Sequence, residues 1–172
     1  MSSPCKPKKV LLFTAVLISK DFSVEEINRV LLKKIGPACF CSRLMNFVWS
    51  DYYQDEMGED LKRLFIVYKK PVSRDEIVKY KKLCDAIELK YLKNGKRSVN
   101  IDPGIITPEN IVLATNKAFF HRIYIKKGVY SEVTLFYKKG TYNPIEYWTF
   151  PEYRSSAVIE FFNKARSFMP AR

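Results

Sequence analysis

The sequence predicts an α+β fold built on a mostly antiparallel sheet, on three observations. Two amphipathic helical stripes each open with a Ser-x-x-Glu capping box, at Ser23/Glu26 and at Ser73/Glu76. Apolar runs of β character stand before, between and after those stripes, so the first half reads strand, helix, strand, strand, helix, strand. That order is the ferredoxin-like split βαβ unit. The remainder reads as a short helix, a β-hairpin and a C-terminal helix.

The elements follow in order. Val10 to Ser19 is a continuous apolar run, the mark of a strand buried on both faces. Ile27, Val30, Leu31 and Ile35 form a helical stripe that stops at Gly36. Phe40 to Trp49 reads as a second strand, and Ser50 to Gly58 as a polar, aromatic loop. Leu61 to Val72 is a third strand, with Leu64, Ile66 and Tyr68 on one face and Phe65 and Val67 on the other. Ile77, Tyr80, Leu83, Cys84, Ile87 and Tyr91 carry the second helix to Asn94-Gly95. Ser98 to Ile101 is a short strand entering a turn at Asp102-Pro103-Gly104, and Thr107-Pro108 caps a short helix over Ile111 to Ala114. Tyr142 to Trp148 is extended, Thr149 to Arg154 is an aromatic loop, and Val158 to Phe168 is the last helix.

The stretch Asn116 to Tyr137 predicts a hairpin at the centre of the fold. A three-residue loop ending in Gly128 pairs Ile125 with Val129, Tyr124 with Tyr130 and Arg122 with Glu132. Ile123, Ile125, Val129, Val133 and Leu135 then face a core. Arg122, Tyr124, Tyr130, Glu132, Thr134 and Phe136 face the other way. A two-residue loop would mix charged and apolar groups on both faces.

At 172 residues, with 47% hydrophobic and 28% charged, the chain suits a single domain over 1–172 with a basic tail at 1–9. No apolar run approaches the roughly 20 residues that span a bilayer. Lys6, Lys8 and Lys9 precede an apolar stretch as in a signal peptide, but the stretch is β-rich and lacks a small-residue cleavage site, so a cytoplasmic protein is expected. Cys5, Cys39, Cys41 and Cys84 have no zinc-hairpin spacing and only one histidine to join them, so no structural zinc is expected and the thiols read as reduced. The net charge of +12 attracts polyanions, though the lysines are scattered as pairs rather than gathered in a stripe.

No motif identifies a reaction. Tyr52-Tyr53, Glu56-Met57-Gly58, Leu61-Lys62-Arg63, Val99-Asn100-Ile101-Asp102-Pro103-Gly104, Leu113-Ala114-Thr115 with Lys117, His121-Arg122-Ile123, Glu132-Val133-Thr134-Leu135, and Trp148-Thr149-Phe150-Pro151 with Tyr153-Arg154 together span the chain. As a set they resemble the prokaryotic domain-of-unknown-function family 4416. The resemblance implies the domain extent and no established activity. Members are often labelled GTP-binding proteins, but no Gly-x-x-x-x-Gly-Lys-Ser/Thr loop occurs here, and Asn116-Lys117 is followed at 119 by Phe where a guanine-reading motif needs Asp.

Polar groups embedded among aromatics are the candidates for chemistry. Asp51, Glu56 and Asp102 are oxygen ligands that could hold Mg²⁺ or Mn²⁺. His121, the sole histidine, is the candidate acid or base. Tyr52, Tyr53, Lys62, Arg63, Asn100, Lys117, Arg122, Glu132 and Arg154 are the candidate ligand-binding set. Two functions follow: a binding module for a phosphate-bearing ligand, either nucleotide or RNA, or a small metal-dependent enzyme acting on a phosphorylated substrate. The expected site gathers 51–58, 100–102, 117–122 and Arg154.

Overall fold

The computed structural model describes residues 3–170. The tail expected over 1–9 and the domain extent expected over 1–172 reach outside them. The elements are β1 (Leu11–Ile18), α1 (Val24–Ile35), β2 (Ala38–Cys41), β3 (Met45–Asn46), α2 (Gln54–Met57), β4 (Lys62–Tyr68), α3 (Ile77–Lys90), β5 (Leu92–Lys93), β6 (Lys96–Arg97), β7 (Val99–Ile106), β8 (Asn110–Thr115), β9 (Ile123–Lys126), β10 (Val129–Lys138), β11 (Thr141–Pro144), α4 (Pro151–Arg154) and α5 (Ser156–Arg166).

The fold is α+β, with an open antiparallel sheet in the order β11-β10-β8-β7-β1-β4-β2. β3 adds to β4 beside β2, and β9 adds to β10 beside β11. β1 is the strand around which the rest is arranged. It pairs with β4 on one edge and with β7 on the other, and each of its residues is buried. α1 and α3 cover one face, where Ile27, Leu31, Cys84 and Ile87 meet Leu12, Val16, Ile66 and Ile101. The other face lies under α4 and α5, where Phe13, Phe65 and Tyr142 meet Tyr153, Phe161 and Phe162. β4 alternates between the two cores as its sequence requires, Leu64, Ile66 and Tyr68 against Phe65 and Val67.

Both helix starts have physical causes visible in the chain. Ser23 accepts the Glu26 N–H at 3.0 Å, and Ser73 with Glu76 closes a full capping box on a 3₁₀ turn that leads into α3. α3 ends at Lys90, short of the expected Asn94-Gly95, because those two residues form the turn of a small hairpin between β5 and β6.

Several expectations are corrected. The run Phe40 to Trp49 is two short pieces, β2 and β3, broken where Ser42 turns its hydroxyl to accept the Phe65 N–H at 3.0 Å. The loop after Ser50 holds a 3₁₀ turn over Asp51–Tyr53 and then α2. Asp102-Pro103-Gly104 is no turn: β7 runs straight through it. Thr107-Pro108 starts no helix. The Thr107 hydroxyl accepts the N–H groups of Glu109 and Asn110, which makes the hairpin turn into strand β8. The aromatic loop at 149–154 contains α4.

The hairpin of β9 and β10 lies at the margin of the sheet, not at its centre. Its loop is the two-residue Lys127-Gly128, both with positive φ, at 53° and 75°. A bulge between Val129 and Tyr130 restores the expected pairing of Tyr130 with Tyr124. Ile123 and Ile125 are exposed rather than in a core, because no helix covers β9 and neither belongs to a core cluster. Val133 is only half-buried, while Glu132 and Thr134 are buried. A second bulge, between Val133 and Leu135, displaces the simple alternation.

Candidate functional site

The sheet splits between β7 and β8. β1 pairs with all eight residues of β7, but β8 pairs with only three, from Gly104↔Leu113 to Ile106↔Ile111. Pro103, just past the last pair, has no N–H to offer a neighbouring strand. The N–H of Ile101 turns instead to the Glu88 carboxylate at 2.7 Å. Gly104 marks the end of the close approach: a Cβ there would stand 2.4 Å from the Phe13 ring and 2.7 Å from the Val112 carbonyl oxygen. Beyond it a cavity of about 240 Å³ opens, walled by Asn100 and Asp102 on one side and Leu113 to Lys117 on the other.

Charge pairs surround this cavity. At one end Arg63 Nε donates to Glu152 Oε1 at 2.8 Å, with both side chains buried and Arg63 packed against the Phe47 and Phe65 rings. Arg63 Nη1 and Glu152 Oε2 have no hydrogen-bond partner among the described residues. α3 supplies Lys81, Asp85 and Glu88. Lys81 pairs with Asp85 at 3.1 Å and Asp102 at 3.4 Å. Burial disfavours the Lys81 charge, but Asp102, Glu88 and Asp85 outweigh it and raise the pKa above the usual lysine value. Asp102 is pushed up by burial and held down more strongly by Lys81 and Arg63, so it ends below the usual carboxylate range. Burial pushes Glu88 up to about 7, against the opposing pull of Lys81.

Arg97 gathers one rim. Its guanidinium forks onto Glu56 with two bonds of 2.7 Å, so α2 is tied to β6, just ahead of β7. It also reaches Glu88 at 3.3 Å and donates to Asn100, which in turn donates to Asp102 at 2.7 Å. At the opposite rim Glu132 accepts Arg122 Nε at 2.7 Å and faces His121 Nε2 at 3.1 Å. Lys117 lies 4.1 Å from the centre of the Tyr52 ring and donates to the Tyr52 hydroxyl, which lowers that phenol's pKa. Tyr53 lines the cavity, and burial pushes its pKa up to about 12.

Of the residues expected from the sequence, Tyr53, Arg63, Asn100, Asp102, Lys117, Arg122 and Glu132 line one cavity. Tyr52, Glu56 and His121 touch lining residues from outside. The others lie elsewhere. Lys62 donates to Asn46 and, with Asp51, borders a separate surface hollow. Arg154 is spent on the backbone oxygens of Thr149 and Glu146, where it fastens the turn into α4. Asp51, Glu56 and Asp102 do not converge, because Glu56 is taken by Arg97, Asp102 by Lys81 and Asn100, and Asp51 by Gln54. Among the described residues no three His, Cys, Asp or Glu side chains are grouped to hold a metal ion.

Lys81, Asp85, Glu88, Arg97 and Glu152 complete the charged part of the lining and were not singled out from the sequence. A signal existed for three of them. Positions 81, 85 and 88 follow the i, i+4, i+7 spacing of one helix face, a charged stripe beside the apolar one. All four cysteines are free thiols, with Cys84 buried in α3. Among the described residues no helix is long and apolar enough to cross a membrane.

The arrangement can hold a small polar molecule in contact with both signs of charge. No curated protein and no solved structure matches the chain. One family model does, over residues 8–168 and so nearly the whole described chain, and the chain belongs to that family, domain of unknown function DUF4416.

Proposed function

We propose that the cleft between β7 and β8 binds a small phosphate-bearing ligand such as a nucleotide. The observation that carries this reading is Lys117. The cavity is lined by five cations, Arg63, Lys81, Arg97, Lys117 and Arg122, and five acids, Asp85, Glu88, Asp102, Glu132 and Glu152. Every cation but Lys117 has a carboxylate partner among the described residues. Lys117 leans only on Tyr52, so its charge is free for an anion entering the mouth. Arg122, fixed by Glu132, stands beside it, and the net charge of +12 steers anions inward. The Tyr52 and Tyr53 rings, 5.1 Å apart, offer a face for a base. The ferredoxin-like reading of the first half belongs to this proposal. Its support is the order β7-β1-β4-β2 with α1 and α3 on one face, which leaves the rim of β7 open to a ligand.

The alternative, a metal-dependent enzyme with His121 as acid or base, has less support. The His121 ring is buried, stacked on Trp148 at 5.5 Å and held to Glu132, and lies outside the lining. Its geometry suits a positioning group for Glu132 and Arg122. The test is a thermal-shift series with AMP, GMP, ribose 5-phosphate and inorganic phosphate against adenosine, guanosine and ribose. Phosphate-bearing compounds raise the Tm of the wild type, and Lys117→Ala abolishes the rise without lowering the ligand-free Tm. Equal shifts from the unphosphorylated compounds, or full binding by Lys117→Ala, would refute the proposal.

A further inference from the structure

We infer that the arm formed by residues 119–130 is a docking surface for single-stranded nucleic acid, distinct from the cleft. Successive residues of a strand point to opposite faces, yet all four residues of β9 are exposed, so both faces of β9 meet solvent, while Val129 at the start of β10 anchors the arm in the core. Ile123 is 69% exposed, Tyr124 57%, and at the root of the arm Phe119 is 60% and Phe120 75% exposed. Adjacent apolar groups presented in this way mark an interaction surface rather than scattered surface hydrophobes.

The aromatics are held outward. Phe119 and Phe120 lie 4.9 Å apart, and Phe120 meets His121 edge-on at 5.0 Å. His121 is stacked on Trp148, whose indole N–H donates to the Val133 carbonyl at 3.0 Å. Tyr124 is braced by Tyr130 at 5.3 Å. Rings fixed by a buried neighbour lose little freedom when a base stacks on them.

Charge selects the occupant. Between Glu109 and Glu132 the chain has no acid, while Lys117, Arg122, Lys126 and Lys127 lie in that interval. The carboxylate that closes the interval, Glu132, is consumed by Arg122 and His121. Exposed rings interleaved with unneutralised lysines match a single strand, which offers base faces and phosphates in alternation. A second copy of this chain is disfavoured. Antiparallel pairing of β9 with itself would bring Lys126 of each copy toward Arg122 of the other, the like-charge arrangement that blunts an edge strand.

The experiment is fluorescence anisotropy of the full chain with 5′-labelled oligo(U) and oligo(dT) of about 20 nucleotides at several salt concentrations. The wild type binds both. Phe119→Ala/Phe120→Ala and, separately, Tyr124→Ala weaken binding about 5- to 150-fold per lost stacking partner, with Tm unchanged because these side chains are exposed. Lys126→Ala/Lys127→Ala makes the dependence of affinity on salt shallower. Three results would overturn the inference: no oligonucleotide binding, salt-dependent binding that ignores the aromatic substitutions, or a dimer in sedimentation that the same substitutions dissociate. AMP binding that survives in the arm variants keeps the fate of this surface separate from that of the cleft.

Discussion

Strands β1 and β9 are both rich in large apolar or aromatic residues and end in opposite places. Leu-Leu-Phe-Thr-Ala-Val-Leu-Ile is buried throughout, whereas Ile-Tyr-Ile-Lys is exposed throughout. The difference lies in cover. β1 has a strand on each edge and helices on both faces, while β9 has one short ladder to β10 and no helix. Burial therefore belongs to the neighbours an element acquires, and hydrophobic composition is only its precondition. The cleft stands between these extremes, where β7 keeps one neighbour along its whole length and loses the other halfway.

Substitutions on the two sides of that comparison should separate widely. The largest effect is expected at Arg63, beside the covered strands. Arg63→Ala leaves the Glu152 carboxyl buried without its partner, a loss of about 3–5 kcal/mol, to be read from the urea midpoint at constant slope. Gly104→Ala comes next. Its new methyl meets the Phe13 ring and the Val112 carbonyl at the seam, and overpacking of this kind costs about 1–3 kcal/mol. If Gly104→Ala is neutral, the seam is softer than its distances imply.

A smaller effect is confined to one pH window. Glu88, ordinarily near 4.5, is pushed up to about 7 by burial. The folded chain therefore keeps a proton that the unfolded chain has released between those values. The stability this group supplies is full below about 4.5 and declines as pH rises through about 7. Glu88→Gln should flatten that decline, measured as the difference in Tm between pH 5 and pH 8. The smallest effect belongs to the uncovered side. Ile123→Thr on β9 should change stability by less than about 0.5 kcal/mol, and a larger loss would mean that another element covers β9.

Local chemistry was legible in the chain where one cause dominated. The two capping boxes, the unbroken run of β1 and the alternation of β4 each follow from one such rule. Misreadings arose where two rules competed. Thr107-Pro108 satisfies a helix-start rule, but its hydroxyl serves a hairpin turn equally well, and β7 on the other side of that turn decides. Asp102-Pro103-Gly104 has turn composition, yet β1 holds it extended from outside. For the site, the sequence led to Arg63, Asn100, Asp102, Lys117, Arg122 and Glu132, all charged or polar groups next to aromatic or turn residues. It did not lead to Glu152 or Arg97. Their partners, Arg63 and Glu56, lie 89 and 41 positions away, and no local pattern encodes such a pairing. Arg154 misled for the opposite reason, since its aromatic setting reflects a strictly local task.

The three-pair seam between β7 and β8 also has a dynamic consequence. On one face it is spanned by α5, whose Phe162 touches Phe13 of β1 and Tyr142 of β11. On the other face α3 packs on both strands, and past Pro103 the gap is crossed by side-chain hydrogen bonds, Asn116 donating to Asp85 and Lys117 to Tyr52. A ladder of three pairs should open at a lower cost than global unfolding. Amides of Ala114 to Lys117 should therefore exchange with deuterium well before those of β1. A molecule lodged in the cleft would act as the missing rungs of the ladder, so its arrival should be recorded as slowed exchange in β8 even where it touches no backbone atom.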